Sequence, residues 1–244
     1  MSSKHATRDR VWRELRAVAL PDSRFHYDFG SFICDFVGSN QANDRLLQLP
    51  CFKAAETVFI TPDNCLEYLR YQALRAGKQV LMTTYGIRRG FWLLDPATID
   101  TELFMYASTL DGLERVGRRV SLKDLLDLGV HVDVLVTGTG AINEKGIRFG
   151  KGHGYFDLEW AMLSTIGVCQ NGSTTIAVVH DCQVLLEELQ PEVFDTVCDI
   201  IVTPTRTINV HKAEQPGCGI IWDQLQPGML EDIPPLQEFK GLDI

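Results

Sequence analysis

The sequence lacks long apolar runs and any excess of positive charge. Hydrophobic residues make up 45% of the 244 residues and charged residues 23%, as in ordinary globular proteins. No apolar run approaches the roughly 18 residues of a transmembrane helix. Residues 1–8 are polar with no apolar core behind them, so we expect no signal peptide and a cytoplasmic protein. The net charge of −9 argues against a nucleic-acid-binding surface. We expect neither a membrane nor a nucleic acid as partner.

The cysteines show no metal-binding or redox pattern. There are seven cysteines, with no CxxC pair and no Cys/His spacing typical of zinc. Cys182 and Cys198 lie in or beside apolar segments, where a free cysteine packs as a small hydrophobic residue. We therefore expect reduced, structural thiols.

Short apolar runs alternate with segments of helical periodicity. The predicted strands are at 57–60, 79–82, 132–136, 175–179 and 199–202. The predicted helices cover 7–19, 42–49, 66–75, 121–128 and 157–166. This alternation indicates an α/β domain with a mainly parallel sheet, in which ligands bind beyond the carboxyl ends of the strands. Residues 84–120 give no clear pattern, and the turn-rich residues 212–244 are interpreted as an extension packed on a domain of residues 1–211.

The most informative segment is Arg148–Asp157, which reads RFGKGHGYFD. Three glycines at alternate positions leave the backbone free to turn successive N–H groups toward one anion. Two cations and the start of a predicted helix add positive charge. The spacing is neither a Walker A loop nor a Rossmann fingerprint. It predicts a phosphate site; the alternative is a tight strand-to-helix turn with exposed cations.

These residues carry a family resemblance. The run Asp133–Asp157 resembles the signature of the 5-formyltetrahydrofolate cyclo-ligase (methenyltetrahydrofolate synthetase) family: an apolar strand, a Lys-Gly turn, then R-x-G-[RK]-G-x-G-Y-[YF]-D. The resemblance covers most of residues 4–210. It is closest to a divergent branch, the methenyltetrahydrofolate synthetase domain-containing proteins, whose motifs are matched at 150–162, 180–184 and 203–206. It implies a three-layer Rossmann-like fold with a mainly parallel central sheet, of the cyclo-ligase and NagB/RpiA/CoA-transferase type.

The resemblance also implies a reaction. The family's enzymes use Mg·ATP to phosphorylate the formyl oxygen of 5-formyltetrahydrofolate, after which N10 attacks the activated carbon and 5,10-methenyltetrahydrofolate forms. ATP and Mg²⁺ would then be the cofactors, and a reduced folate or another carbonyl compound the small-molecule substrate. The matching catalytic residues are Arg148, Lys151 and Tyr155. Those matching the nucleotide site are Lys4, Arg8, Arg148, Gly150, Lys151, Gly152, His153, Gly154 and Tyr155, and those matching the metal site are Asp157 and Asp195.

Several of these residues have a structural alternative. Lys4 and Arg8 would be solvated cations on a helix end. Asp157 would be a helix N-cap, for which Asp is a preferred residue. Tyr155 would be a ring packed on the edge of the sheet.

Parts of the family pattern are missing. His153 stands where the better-known enzymes have Lys or Gly, and Phe156 replaces a second Tyr. The folate side lacks the Glu expected in residues 62–66 and the Trp and Pro-rich turn expected near 110–120.

Three interpretations therefore stay open. The first is a 5-formyltetrahydrofolate cyclo-ligase. The second is a paralogue that activates another carbonyl or formamide compound, with Arg88 and Arg89 meeting an anionic group. The third is a nucleotide-binding protein without turnover.

Overall fold

A computed structural model describes residues 4–150, 154–170, 172–211, 215 and 219–242, with the side chains of all of these except Lys4 and His5. The helices are α1 (Lys4–Leu15), α2 (Ser39–Leu47), α3 (Pro50–Ala54), α4 (Glu67–Arg75), α5 (Phe104–Ala107), α6 (Leu110–Val116), α7 (Leu122–Asp127), α8 (Tyr155–Thr165), α9 (Met229–Asp232) and α10 (Pro234–Gly241). The strands are β1 (Thr57–Ile60), β2 (Gln79–Thr83), β3 (Phe91–Leu94), β4 (Arg118–Val120), β5 (Val134–Gly138), β6 (Ala141–Asn143), β7 (Arg148–Phe149), β8 (Thr174–Val178), β9 (Val184–Leu185), β10 (Ile200–Val202) and β11 (Thr207–Asn209).

The main sheet has eight strands in the order β11-β10-β8-β5-β1-β2-β3-β4. The five strands from β10 to β2 run parallel, and β11, β3 and β4 add antiparallel pairs at the two edges. In the centre, Phe59 of β1 lies opposite Leu81 of β2 and Leu135 of β5. The predicted mainly parallel sheet is confirmed.

Helices cover both faces of this sheet. Because side chains alternate along a strand, Val58 and Ile60 pack on one face with Leu46 of α2, while Phe59 packs on the other with Met162 of α8. The central strands are buried on both faces, which explains their unbroken apolar sequences. The fold therefore has three layers, as the family resemblance implied.

Two local differences have clear causes. The helix predicted over 42–49 runs from Ser39 to Leu47. Pro50 begins a further helix, α3, because the first turn of a helix needs no N–H donor from that residue. Residues 84–120, which gave no pattern, form β3, β4 and two short helices, α5 and α6. Segments of three to seven residues are too short for a hydrophobic period to show.

A second, three-stranded sheet carries the Gly-rich motif. Its order is β7-β6-β9, and Ile142 of β6 pairs with Arg148 of β7 in antiparallel register. Helix α1 packs against this sheet through Val11, which shares an apolar cluster with Phe149. Gly146 closes the β6–β7 turn with φ = 78° and accepts the N–H of Cys198. This turn sets the position of Arg148.

Gly146→Ala is expected to lower the free energy of unfolding by about 3 kcal/mol or more. A Cβ at this residue would both strain the positive φ and overlap the carbonyl group of Cys198. Gly77 is the matched control, because it has φ = 77° with nothing within 4 Å of an added Cβ. Gly77→Ala should cost only about 1 kcal/mol. Equal decreases in the free energy of unfolding, measured by urea titration of the two variants, would show that the close packing at Gly146 is unimportant.

The described residues near the carboxyl terminus pack on the α8 side of the sheet. Ile220, Leu225 and Leu236 belong to the same apolar cluster as Phe59 and Met162. The division at residue 211 into a domain and an extension stays a prediction. In the part of the chain that the structure describes, no helix is long and apolar enough to cross a membrane.

Candidate functional site

A polar cavity of about 70 Å³ lies where β1, β2 and β5 end. The strand ends contribute Asp63, Thr84 and Gly138, and the Gly-rich motif contributes Arg148 and Gly154. The cavity is therefore at the carboxyl edge of the parallel strands, where α/β sheets bind ligands. The glycine-rich segment and the strand ends, far apart in sequence, meet around one space.

Arg148 and Asp157 form a buried ion pair at this cavity. Nη2 of Arg148 donates to Oδ1 of Asp157 at 2.6 Å, and the two side chains are only 5% and 9% exposed. The guanidinium also lies 4.5 Å from the ring centroid of Phe156. Its Nε has no hydrogen-bond partner among the described residues. Arg148 is thus a buried cation in a fixed position whose Nε–H can still donate a hydrogen bond, and this suits an anionic ligand.

Asp157 is not the N-cap of α8. Gly154 occupies the N-cap position with φ = 67°, and Asp157 is the third residue of the helix. Its Oδ1 also accepts the backbone N–H of Thr196 at 2.8 Å, while Oδ2 lies 3.7 Å from the place of a Cβ on Gly154. Burial raises the pKa of Asp157, and the charge of Arg148 and the Thr196 N–H oppose that rise. The carboxylate holds Arg148 and Thr196 with one oxygen and presents the other toward Gly154.

Asp195 lies near this ion pair. It is half-buried, its Oδ2 accepts the N–H of Glu192 at 2.8 Å, and its charge contributes to raising the pKa of Asp157. Within the described residues, no group of three or more His, Cys, Asp or Glu side chains is placed to hold a metal. Mg²⁺ needs only one or two carboxylates when phosphate oxygens and water complete its shell. Asp157 and Asp195 as the two carboxylates of such a site stay a prediction.

The other predicted site residues are only partly described. Gly150, Gly154 and Tyr155 line the cavity, and the Tyr155 ring lies against Gly86 at the end of β2. Lys151, Gly152 and His153 lie outside the described residues, as does the side chain of Lys4.

Arg8 is placed on α1, one turn before Val11. Its guanidinium lies 5.7 Å from the ring centroid of Trp12, and Val11 packs on Phe149 next to Arg148. The helix that carries Arg8 therefore packs against the strand that carries Arg148, although Arg8 does not line the cavity itself.

Two acidic residues that the sequence analysis did not assign face the same cavity. Glu159 on α8 is 2% exposed, is hydrogen-bonded to the hydroxyl of Thr83, and lines the cavity. Burial raises its pKa to about 8, so it carries a proton at neutral pH. Oδ2 of Asp63 accepts the Thr61 hydroxyl at 2.5 Å and the Gly138 N–H at 2.8 Å.

The signal for these two residues is weak in the sequence. Glu159 lies between apolar residues of the helix predicted at 157–166. The spacing places Leu158, Ala161, Met162 and Thr165 on one face of that helix, but Thr165 is exposed and Leu158 half-buried, while Phe156, Glu159 and Leu163 are buried together with Ala161 and Met162. Asp63 directly follows the Thr-Pro after a strand end, which is the position where a ligand-binding residue is expected.

Arg88 and Arg89 do not meet at the cavity. Arg88 pairs with Asp232 at 3.3 Å and Arg89 with Glu114 at 2.5 Å, and all these contacts lie on the surface. Neither arginine lines the cavity, so their suggested role toward an anionic substrate group loses its support.

The 5-formyltetrahydrofolate cyclo-ligase family model matches residues 1–204. The chain belongs to this family of ligases. It is 33% identical over 241 residues to the methenyltetrahydrofolate synthase domain-containing protein of Mus musculus, covering 98% of this chain and 63% of that protein. The chain thus spans slightly less than two thirds of the length of this relative. It is 31% identical over 172 residues to the 5-formyltetrahydrofolate cyclo-ligase of Escherichia coli K12, covering 68% of this chain and 87% of that protein.

A solved structure shares the family fold. The 5,10-methenyltetrahydrofolate synthetase of Aquifex aeolicus matches 87% of this chain and 95% of its own with a TM-score of 0.53 and 19% identity. The eight-stranded, mostly parallel sheet with helices on both faces is this chain's version of that fold.

Proposed function

We propose that this chain is an ATP- and Mg²⁺-dependent cyclo-ligase that converts 5-formyltetrahydrofolate to 5,10-methenyltetrahydrofolate. The observation that carries the proposal is the buried Arg148–Asp157 pair, which joins the Gly-rich motif to a polar cavity at the strand ends. The γ-phosphoryl group of ATP moves to the formyl oxygen, ADP leaves, and N10 attacks the formyl carbon. Loss of inorganic phosphate and of the N10 proton then gives the cyclic product.

Phosphoryl transfer requires positioning and charge neutralisation more than a protein nucleophile. Arg148 is assigned to neutralise the transferred phosphoryl group. Its Nε–H can donate a hydrogen bond to a phosphate oxygen, and Asp157 fixes the orientation of the guanidinium. Lys151 adds a second cation, and the backbone N–H groups of Gly150, Gly152 and Gly154 bind phosphate oxygens. Lys4 and Arg8 contact the phosphates from α1.

Asp157 and Asp195 would hold Mg²⁺, which supplies further neutralisation of phosphate charge. Tyr155, which lines the cavity beside Gly86, is assigned to position the formyl group. The proton from N10 needs an acceptor. Glu159 already carries a proton at neutral pH, so Asp63, held by Thr61 and Gly138, is the better acceptor in the cavity.

A second function is favoured by the differences on the folate side. The chain has no Glu in residues 62–66, and its cavity instead contains Asp63 and the buried Glu159. A paralogue that activates another carbonyl or formamide compound would keep the phosphate side and change these groups. Phosphate release that depends on the added substrate separates either enzyme from a non-catalytic nucleotide-binding protein, and the spectrum of the product separates the two enzymes.

Lys151→Ala is expected to remove nucleotide-dependent phosphate release. Because a lysine between glycines is expected on an exposed loop, and surface substitutions rarely cost more than about 0.5 kcal/mol, the melting temperature should stay within about 2 °C of the unchanged protein. The matched control is Lys145→Ala, which removes an exposed lysine that pairs with Glu188. Lys145→Ala should keep full activity. Unchanged turnover in folded Lys151→Ala would remove this lysine from the phosphate site.

A further inference from the structure

A second cavity, of about 90 Å³, borders the start of α8 on a different side from the first. Its walls include Trp160, Phe194, Ile220, Ile221 and Leu225. This space is several times the 10–15 Å³ that a single water needs, so it has room for a group larger than one water or one ion. It is an apolar space lined by aromatic and aliphatic side chains, as small-molecule sites commonly are.

The two cavities share two lining residues. Both are lined by Gly154 and Asp157, the residues at which the motif passes into α8. The first cavity is polar and holds Arg148 with the buried Glu159. A ligand whose phosphates lie on the motif therefore has a polar space on one side and an apolar space on the other.

The outer wall of the second cavity belongs to the carboxyl-terminal segment. Ile220, Ile221 and Leu225 line it, and they lie beyond residues 1–204, which the family model matches. Gln224 also lines it and brings an amide with both donor and acceptor groups. Gln226 lines the cavity too, and an apolar slot with aromatic side chains and amides fits a flat heteroaromatic ring.

We propose that this second cavity binds the base of the nucleotide, so that the carboxyl-terminal segment completes the nucleotide site. The inference rests on the proposed function, because it needs phosphates on the Gly-rich motif. With the phosphates there, the base enters the apolar cavity and the substrate carbonyl enters the polar one. The ring of the base stacks with Trp160 or Phe194, and Gln224 binds its edge.

Calorimetric titration of the full chain with ATP and with inorganic tripolyphosphate, each with Mg²⁺, tests the inference. We expect ATP to bind at least tenfold more tightly than tripolyphosphate. Trp160→Ala should remove most of this difference and leave the affinity for tripolyphosphate unchanged. Trp222→Ala is the matched control. Trp222 lies in the carboxyl-terminal segment that lines the cavity, but its ring contacts Phe239 and Lys240 and does not line the cavity itself. It should change neither affinity.

The outcomes separate the inference from the proposed function. Equal affinities of the unchanged protein for ATP and tripolyphosphate would overturn the base site and leave the phosphate site standing. Binding of neither ligand would overturn the proposed function together with the inference. If Trp160→Ala loses tripolyphosphate binding through misfolding, Ile221→Ala makes the same comparison from the opposite wall, and an unchanged ATP preference in that variant would contradict the inference.

Discussion

Arg148→Met is expected to reduce turnover by roughly 100-fold or more, as removal of a donor to a developing anion does in other enzymes. The same variant should lower the free energy of unfolding by about 3–5 kcal/mol, the usual cost of breaking a buried ion pair from one side. The reason is that Asp157, 9% exposed in its side chain, would be buried without its partner, either as an unpaired charge or after taking up a proton. Denaturant titration and initial rates measure the two effects separately.

The double variant Arg148→Met/Asp157→Asn separates stability from catalysis. Removing both charges leaves no unpaired buried ion, so most of the lost stability should return while activity stays absent. The control is Arg10→Met, which breaks an exposed pair with Glu187 at 2.7 Å and should cost no more than about 1 kcal/mol. Recovery of activity in the double variant would exclude Arg148 as a phosphate-binding residue.

The sign of the pH effect adds a further check on this pair. Loss of Arg148 raises the pKa of Asp157 further, because burial then acts without an opposing cation. The folded variant would bind a proton that the unfolded chain has released. Its stability should therefore fall as the pH rises above the ordinary range of an aspartate. A stability deficit that stays constant between pH 4 and pH 7 would contradict this explanation.

Glu159→Gln is expected to make the metal-free protein more stable at pH 8 than the unchanged chain. Burial raises the pKa of Glu159 from 4.5 to about 8. Between these pH values the folded protein holds a proton that the unfolded chain has lost. The free energy of unfolding therefore falls by about 1.4 kcal/mol for each unit by which the pH rises. The free energy of unfolding has fallen by about 5 kcal/mol in total once Glu159 is ionised. A glutamine cannot ionise, so the stability of the Glu159→Gln variant should not show this decline with pH.

The matched control for Glu159 is Glu102→Gln, which changes an exposed glutamate. This control should keep the same dependence of stability on pH as the unchanged protein. Denaturant titrations at pH 5, 6, 7 and 8 measure the slopes of all three proteins. Parallel slopes for Glu159→Gln and the unchanged chain would show that Glu159 is already ionised at low pH.

The buried strands could be predicted because their sequences show their burial. Val58, Phe59 and Ile60 form an unbroken apolar run, which is typical of a parallel strand covered on both faces. The capping residue Ser121 was also identifiable, since its hydroxyl accepts the N–H of Asp124 within a complete capping box. The short edge strands β3 and β4 could not be predicted, because they are fixed by pairing with β2 and with each other rather than by their own periodicity.

The arrangement of the candidate site could be predicted from the sequence only in part. The Gly-rich motif pointed to Arg148 and the family resemblance to Asp157, and the structure adds that the two form a buried pair. Asp157 as an N-cap is wrong, because the backbone conformation at Gly154 starts the helix three residues earlier. Glu159 was not predicted, because its burial depends on Thr83 and on other strand ends that are distant in sequence.

The proposed reaction is tested most directly by the absorbance of the product. Purified protein with 5-formyltetrahydrofolate, Mg²⁺ and ATP should show a rise in the methenyltetrahydrofolate band. The rise should be absent without ATP and absent in Lys151→Ala and Arg148→Met. No rise with protein that binds ATP would contradict 5-formyltetrahydrofolate as the substrate and favour a paralogue that activates another carbonyl compound.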